Sequence, residues 1–346
     1  MKLPHFIIST IFLLFSSQAF AQHHSIHSID SLLQLKKPRS FNGVVLLTHE
    51  GKEIYKRSYG WNDFPKKTPL QTDDQFLVGS ISKQFTAVLI LQEIQAGHIQ
   101  ANQTIRHYLP DFEQQWADSV TVQQLLNHTS GTANGSDKLL FKPGTRFSYS
   151  NLNYEILGRI VEKTTGKTYE ELTASLFKAC GMNNSTVPPG AGRKSKATRL
   201  VKGHMQNERG KYVETNILPL LGTTPMDLPA AGMVSTAADL TKWLYCLHTG
   251  KLLADSTYQM MINNAVQRPH RWGDVKYGDG IQVSTLNGLQ ELTMNGYVPG
   301  FISTMIYYPA TKVSIVILEN ISPNPEDMNK VYFFHDRIRE MLKNYN

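Results

Sequence analysis

The sequence predicts an α+β fold, an α/β sandwich whose antiparallel β-sheet is built from both ends of the chain and flanked by helices. Residues 42–60 alternate in the manner of a hairpin, and residues 301–318 contain two segments rich in β-branched and aromatic residues. The region between them is mostly helical and looped. We therefore expect the two ends to meet in one sheet, with a mainly helical lobe inserted between them.

Each sheet segment has its own turn. In the first hairpin, residues 49–52 form the turn, and in the second, residues 309–312 separate the strands. The chain then closes with a predicted amphipathic helix that has Asn324 as its cap and Pro325 in its first turn. Its apolar face should pack on the sheet and comprises Val331, Phe334, Ile338 and Leu342.

The inserted lobe contains two clear helices. An apolar run from Phe85 to Leu91 ends at Gly97 and is typical of a buried helix. Thr236 and Asp239 are spaced as a helix cap, and apolar residues follow at helical spacing until Gly250.

Residues 1–21 have the pattern of a signal peptide. Lys2 precedes a mainly apolar stretch of ten residues, 6–15, and a small-x-small site ends at Ala21. We expect cleavage near Ala21, export to the periplasm or the medium, and no stable membrane anchor, because the apolar stretch is short. His23, His24 and His27 then fall in a solvated tail.

The remaining residues, 22–346, show no linker or internal repeat and are expected to form a single catalytic domain. Its sheet lobe covers about 36–75 and 275–346, and its helical lobe covers about 76–274. The net charge of +7 is spread without a basic block, so nothing predicts nucleic acid as a partner. Cys180 and Cys246 are the only cysteines, and we expect two buried thiols in preference to a disulfide.

Ser80 and Lys83 form a Ser-x-x-Lys motif at the start of the buried helix. The unpaired amides at a helix N-terminus favour negative charge, which an attacking serine develops, and Lys83 lies on the same face as Ser80. A second such motif, at Ser175 and Lys178, lies late in another helical segment and is interpreted as helix surface.

Tyr149 and Asn151 form the second informative motif, Tyr-x-Asn, just before another apolar helix. Together with Ser80 and Lys83 they supply a nucleophile, proton acceptors and an orienting amide. This combination predicts a serine hydrolase that acts by acyl transfer. Whether Lys83 or Tyr149 is the general base stays open, because the two groups would titrate together.

With these motifs the chain resembles the serine β-lactamase and penicillin-binding protein superfamily, and within it the class C β-lactamase-like esterases and D-amino-acid peptidases. The resemblance extends from Phe41 to Asn320 and includes four further segments. These are residues 125–131, residues 141–144, residues 180–182 and residues 231–240. It implies a β-lactamase/transpeptidase-like fold, with no cofactor and no metal.

The resemblance also implies the roles of the site residues. Ser80 corresponds to the acylated nucleophile, Lys83 to its activating neighbour and Tyr149 to the acid/base residue. Asn151 corresponds to the amide that orients Lys83 and the substrate carbonyl. The substrate would be a small molecule or peptide that carries a carbonyl acyl group.

The chain departs from the family pattern at the third motif, where Lys-Thr-Gly or His-x-Gly is usual. Counting back from the turn at Pro299 and Gly300 places Met294, Asn295 and Gly296 there. Gly296 permits close approach of a substrate, and the Tyr297 amide can join that of Ser80 in an oxyanion hole. The thioether of Met294, however, cannot bind a carboxylate as a cation does.

Two other segments could supply a cation. His248 belongs to a His-x-Gly sequence, but it ends a helix and is not expected in the site. Arg268, His270 and Arg271 are interpreted as a solvated polar loop in preference to a part of the cleft.

The favoured function is therefore a serine hydrolase of ester, amide or β-lactam carbonyls. An esterase or amidase is preferred because of Met294, with weak β-lactamase activity at most. The alternatives are a D-alanyl-D-alanine carboxypeptidase and a sensor that binds peptidoglycan or penicillin without turnover.

Overall fold

An eight-stranded antiparallel sheet forms the centre of the protein. The structure is a computed structural model and describes residues 28–133, 136–188, 197–215 and 228–342. Its strands are β1 (Gly43–His49), β2 (Lys52–Tyr59), β3 (Val266–Arg268), β4 (Val275–Tyr277), β5 (Gln282–Leu286), β6 (Leu289–Val298), β7 (Phe301–Tyr308) and β8 (Val313–Glu319). They lie in the order β2-β1-β8-β7-β6-β5-β4-β3. Strand β1 pairs with β8, with Val45 opposite Ile317, so the prediction that both ends of the chain meet in one sheet is confirmed.

The sheet is covered on both faces. Because successive side chains of a strand point to opposite faces, Val44 and Leu46 of β1 join a large core with the central helices. Val45 and Leu47 face the other way, into a second core that includes Phe334 of the C-terminal helix. Strands β7 and β8 are accordingly buried along their whole length.

Six helices of nine or more residues occur in the described ranges. They are α1 (Ser82–Gln95), α2 (Asn151–Thr165), α3 (Tyr169–Cys180), α4 (Ala237–His248), α5 (Asp255–Asn263) and α6 (Phe333–Met341). Helix α1 is buried continuously from Ser82 to Leu91, so it is the central helix of the larger core, as its apolar run predicts. None of the described helices is both long and apolar enough to cross a membrane.

Shorter elements connect these parts. The short helices are Ile105–Tyr108, Val122–Leu126, Leu228–Ala231 and Met328–Val331, and 3-10 turns occupy Gly79–Ile81 and Gln115–Asp118. Small sheets join Trp61–Asp63 to Thr68–Pro69, and Phe76–Leu77 to Val234–Ser235. A third links Ile321–Ser322, His204–Gln206 and Tyr212–Glu214.

The C-terminal helix begins later than the sequence predicts. Its first turn starts at Met328, and the Asp327 side chain caps it by accepting a hydrogen bond from the Lys330 amide at 3.0 Å. Asn324 instead accepts a hydrogen bond from the Glu326 amide, within the preceding turn. The expected apolar face is correct, because its four predicted residues are all buried.

The two cysteines do not remain thiols. Cys180, at the end of α3, and Cys246, in α4, form a disulfide with their Cα atoms 5.7 Å apart. The expectation of two buried free thiols was therefore wrong. The apolar pattern of a helix does not show that its end lies against another helix.

The sequence-based interpretation of residues 1–21 as a signal peptide, and of His23, His24 and His27 as a tail, lies outside the described residues.

Candidate active site

Ser80 lies in the 3-10 turn that leads into α1. Gly79 before it has a φ of 54°, a left-handed conformation that favours glycine. The turn is fixed from both sides, because the Val78 amide donates to the Met233 carbonyl and the Ser82 hydroxyl donates to the Gly79 carbonyl. The nucleophile candidate therefore sits on a rigid bend at the N-terminal end of the central helix.

Lys83 is fully buried and its ammonium group has three hydrogen-bond acceptors. Its Nζ lies 3.2 Å from the Ser80 Oγ, 2.7 Å from the Asn151 Oδ1 and 2.8 Å from the Ala230 carbonyl oxygen. An ammonium has three protons, so these contacts satisfy it completely. None of the three partners is a carboxylate.

Tyr149 approaches Ser80 from the solvent side. Its hydroxyl donates to the Ser80 Oγ at 2.6 Å, and its side chain is partly exposed at 42%. The Lys83 Nζ lies 4.9 Å from the centre of the same ring. The Ser80 hydroxyl is thus in hydrogen-bond contact with both predicted proton-transfer groups.

Asn151 is the first residue of α2, and its side chain reaches Lys83 from there. The four residues of the two sequence motifs therefore converge on one point. Ser80 and Lys83 come from the 3-10 turn and the helix α1 that follows it, and Tyr149 and Asn151 come from the segment before α2 and from α2 itself.

His128 is a site residue that the sequence reasoning did not single out, although it lies within the segment 125–131 on which the resemblance partly rests. Its ring centre lies 4.4 Å from that of Tyr149. Its Nδ1 accepts a hydrogen bond from the Ser150 amide at 3.2 Å, and its carbonyl accepts one from the Ser148 amide at 2.8 Å. It therefore holds the backbone on both sides of Tyr149.

His128 carries no charge while it does so. Burial, together with the charges of Lys83 and Arg268, holds the pKa of His128 well below its ordinary value. A neutral imidazole fits its role as a hydrogen-bond acceptor at Nδ1.

Strand β6 passes very close to the Ser80 turn. A Cβ on Gly296 would lie 2.0 Å from the Val78 carbonyl oxygen, so no larger residue fits there. A Cβ on Gly79 would lie 2.9 Å from the Tyr297 nitrogen. The two glycines bring the backbones of the turn and of β6 into contact.

The register of β6 and β7 determines where the Tyr297 amide points. The two-residue turn makes Val298 and Phe301 partners, so Tyr297 and Ile302 form the next pair. Alternate pairs of an antiparallel ladder lack mutual hydrogen bonds. The Tyr297 N–H is therefore directed away from β7, toward the Ser80 turn, where an oxyanion hole would need it.

Met294 and Asn295 lie on β6 beside this point and supply no cation. Met294 is 2% exposed and lines the cavity next to Ser80. The Asn295 Oδ1 accepts a hydrogen bond from the Thr304 hydroxyl at 3.0 Å.

The cavity in front of Ser80 has a volume of about 430 Å³. Besides Ser80, Tyr149 and Asn151, its lining includes residues of the segment 268–271. The expectation that Arg268, His270 and Arg271 form a solvated loop was therefore wrong. Strand β3 pairs with β4 at the edge of the sheet, and this pairing brings the segment to the cleft.

A second cavity of about 290 Å³ adjoins Ser80 from the other side. It shares Ser80, Asn151 and Tyr297 with the first cavity. The rest of its lining is small or apolar and consists of Leu77, Ala230, Ala231, Gly232, Val298 and Pro299.

The other candidates lie elsewhere. Ser175 and Lys178 are exposed on α3, as predicted, and the Ser175 hydroxyl donates to the Glu171 carbonyl. His248 stacks on Tyr307, with ring centres 4.4 Å apart, and does not line the Ser80 cavity. Within the described residues, no group of three or more His, Cys, Asp and Glu side chains is arranged to hold a metal ion.

Comparison with known proteins gives a consistent result. The family model described as Beta-lactamase matches residues 33–337. Penicillin-binding protein 4* of Bacillus subtilis (strain 168) is 27% identical over 329 residues, covering 84% of this chain and 71% of that protein. Protein flp of Staphylococcus aureus (strain MRSA252) is 26% identical over 257 residues, covering 64% of this chain. The matched region is 48% of protein flp, so the chain spans about half the length of this relative.

Among solved structures, the chain is similar to D-amino acid amidase from Ochrobactrum anthropi SV3 in complex with D-phenylalanine. The TM-score is 0.79 at 23% identity, and the match covers 93% of this chain and 100% of that chain. The two proteins share a fold, which confirms the fold that the sequence resemblance implies.

Proposed function

Since the chain belongs to the beta-lactamase family, we propose that it is a hydrolase that cleaves an ester or amide through an acyl-enzyme at Ser80. The observation that carries this proposal is the arrangement around the Ser80 Oγ. The Tyr149 hydroxyl lies 2.6 Å from it and the Lys83 Nζ lies 3.2 Å from it. A serine hydroxyl becomes a good nucleophile when a neighbouring base takes its proton, and two candidate bases are in contact here.

In the first step, the Ser80 Oγ attacks the substrate carbonyl carbon and its proton passes to the Lys83–Tyr149 pair. The negative charge that develops on the carbonyl oxygen is stabilised by the amides of Ser80 and Tyr297. The leaving alcohol or amine then takes a proton from the pair as the tetrahedral intermediate collapses to an ester of Ser80.

In the second step, a water molecule attacks the acyl ester and gives a proton to the same pair. The Ser80 oxygen leaves, is reprotonated, and the free acid is released. Asn151 contributes by holding Lys83, whose Nζ it contacts at 2.7 Å, in line with Ser80. Lys83 and Tyr149 act as one proton-transfer unit, so the base is assigned to the pair.

An ester or amide is favoured over a β-lactam because Met294 leaves β6 without a cation at the position next to Ser80. A charged hydrogen bond contributes about 1.5 to 3 kcal/mol, which substrates dependent on that cation would lose. The shared fold with a D-amino acid amidase is compatible with an amide substrate.

Labelling with a fluorophosphonate probe tests the nucleophile. The purified protein should be labelled, Ser80→Ala should not, and Ser175→Ala, which removes the serine of the second motif, should be labelled like the wild type. An unlabelled wild type would contradict the proposal.

A small substrate panel then separates the alternatives. We expect turnover of a 4-nitrophenyl ester and little turnover of nitrocefin. Release of D-alanine from a D-alanyl-D-alanine peptide would indicate a carboxypeptidase. A stable acyl adduct in the mass spectrum, without product release, would indicate a sensor.

We also propose that the enzyme is exported, on the basis of the signal-like pattern of residues 1–21. The Cys180–Cys246 disulfide supports this, because disulfides persist mainly in oxidising compartments. N-terminal sequencing of the protein recovered from the periplasm or medium should begin at Gln22, and recovery of full-length protein only from the cytoplasm would contradict it.

A further inference from the structure

Two arginines line the cavity in front of Ser80, and their charges are balanced differently. Arg271 forms a two-point ion pair with Asp336, with N–O distances of 2.9 Å and 2.8 Å. Arg268 forms no ion pair within the described residues. Its Nη1 donates to the neutral Gln282 Oε1 at 2.7 Å, and its Nε makes a long contact of 3.4 Å to the carbonyl of its own neighbour, Pro269.

The surroundings of Arg268 are unusual for an unpaired cation. Its guanidinium lies 5.4 Å from the ring centre of Phe147 and 5.8 Å from that of Tyr277. Burial lowers the pKa of Arg268, but an arginine remains protonated in proteins. A partly buried charge without a counter-ion is costly, and a bound anion would offset that cost.

The other basic groups of the segment do not compete for such an anion. Asp336 already neutralises Arg271. Burial and the charges of Arg271, Arg268 and Arg339 lower the pKa of His270 to about 3, so its imidazole is neutral. Arg268 is therefore the uncompensated positive charge that the segment 268–271 presents to the cavity.

The hydrogen bond to Gln282 also orients Arg268. Gln282 lies at the start of β5 and itself lines the cavity. With Nη1 held there, the guanidinium plane is fixed while the Nη2 edge has no partner among the residues that the structure describes. A planar guanidinium with a free edge is suited to a carboxylate.

We propose that Arg268 is a specificity-determining residue that binds an anionic group, such as a carboxylate, on the ester or amide substrate. Its charge enters the cavity from strand β3 at the edge of the sheet, a different position from that of Met294 on β6. This inference rests on the proposed acyl transfer at Ser80 and assigns its substrate class. The anion occupies the 430 Å³ cavity, which has room for a small-molecule substituent.

Two pairs of esters test the proposal with the full-length enzyme. In the first pair the acyl chain carries the charge, as in mono-4-nitrophenyl adipate and its neutral adipamide counterpart. In the second pair the leaving group carries it, as in 3-acetoxybenzoate and 3-acetoxybenzamide. We expect the wild type to prefer the anionic member of at least one pair, and the responding pair shows which side of the scissile bond faces Arg268.

Arg268→Gln should lower kcat/KM for the preferred anionic ester by about 10- to 100-fold, the effect of losing one charged hydrogen bond. The neutral ester should change by less than about 2-fold, on the same principle. Arg268→Lys should keep part of the preference, and high salt should reduce the preference of the wild type. The Arg268→Lys variant and the salt dependence of the wild type still test the proposal if Arg268→Gln does not fold.

Arg57→Gln provides the matched control. It removes the same charge from β2, at the opposite edge of the sheet, where the side chain is 60% exposed. Equal losses for both members of a pair, or no preference in the wild type, would overturn the role of Arg268. Activity on the neutral ester that disappears in Ser80→Ala would still support the proposed hydrolase, so the two failures can be told apart.

Discussion

A buried lysine with only neutral hydrogen-bond partners lowers the stability of a folded protein. Lys83 has no exposed surface, and its acceptors are a hydroxyl, an amide oxygen and a backbone carbonyl. Desolvating an ammonium costs several kcal/mol, and neutral partners recover only part of it. The fold therefore retains Lys83 at the expense of stability, which fits a group kept for proton transfer.

Lys83→Met should separate function from stability. The substitution keeps most of the side-chain volume and removes the charge, so the protein should unfold at an equal or higher temperature than the wild type. Turnover of a 4-nitrophenyl ester should fall about 100- to 10,000-fold, the usual contribution of a general base. Calorimetry and steady-state kinetics on the same samples give both values.

Lys178→Met is the control for that substitution, because Lys178 belongs to the second Ser-x-x-Lys sequence and is exposed. It should leave kcat unchanged. A Lys83→Met enzyme that kept wild-type turnover would remove Lys83 from the proposed mechanism.

Residue patterns predicted the convergence of the two motifs better than they predicted the other residues that line the cleft. The two motifs depend on local spacing along one helix and at the start of another, which the sequence shows directly. Arg268 ends a strand of three residues, and its place in the cavity depends on pairing with β4. So short a strand has no periodicity to detect, and its polar residues therefore indicated a solvated loop.

Among the elements, the long strands and helices followed their sequence patterns, and the meeting of the two chain ends in one sheet was also predicted. The contact between helices α3 and α4 was not. The turns of both predicted hairpins occur where expected, between β1 and β2 and between β7 and β8. The Cys180–Cys246 disulfide depends on how α3 meets α4, which no local pattern records.

This disulfide should stabilise the helical part of the protein without affecting catalysis. It joins residues separated by 66 positions, and closing a loop of that length in the unfolded chain is worth about 4 kcal/mol in the chain-entropy description. We expect the Cys180→Ala/Cys246→Ala double variant to unfold at a lower temperature and to keep its kcat, because neither cysteine lines the Ser80 cavities.

Thermal unfolding with and without a reductant checks this prediction. The reductant should lower the unfolding temperature of the wild type and leave that of the double variant unchanged. An equal response of both proteins would mean that the disulfide contributes nothing to stability.

In the whole molecule, one buried network joins the first and last segments that the structure describes to the sheet. Arg39 donates to both carboxylate oxygens of Glu319 on β8, at 2.7 Å and 2.6 Å, and His335 on α6 lies 3.0 Å from the same carboxylate. Burial by itself raises the pKa of Glu319, but Arg39 and His335 together hold that pKa below its ordinary value. The N-terminal segment, β8 and the C-terminal helix thus share one ionised group.

Buried and half-buried histidines should make the whole molecule sensitive to acid. Five of them have a pKa below the ordinary value, mainly because burial disfavours the imidazolium. They are His128, His204, His248, His270 and His335. The folded protein therefore binds protons at these groups at a lower pH than the unfolded chain, which binds them as the pH falls below about 6.5. Stability from these groups is therefore lost as the pH falls.

Asp279 acts in the opposite direction. Burial raises its pKa to about 7, against the effect of hydrogen bonds from Asn264 and Gln123. The folded protein then holds a proton that the unfolded chain releases above about pH 4. Its contribution is present at low pH and is lost as the pH rises toward 7.

These opposite signs give a test with two variants. The free energy of unfolding of the wild type, measured with urea, should fall between pH 7 and pH 5, because five histidines outweigh one aspartate. His248→Gln should flatten that fall by up to about 2 kcal/mol, since burial lowers the pKa of His248 to about 3 and one proton is linked over that interval. Asp279→Asn should make the fall in unfolding free energy between pH 7 and pH 5 steeper. His98→Gln is the control for loss of an imidazole, because the His98 side chain is 65% exposed. A flatter profile in Asp279→Asn, or an unchanged one in His248→Gln, would contradict this assignment of protons.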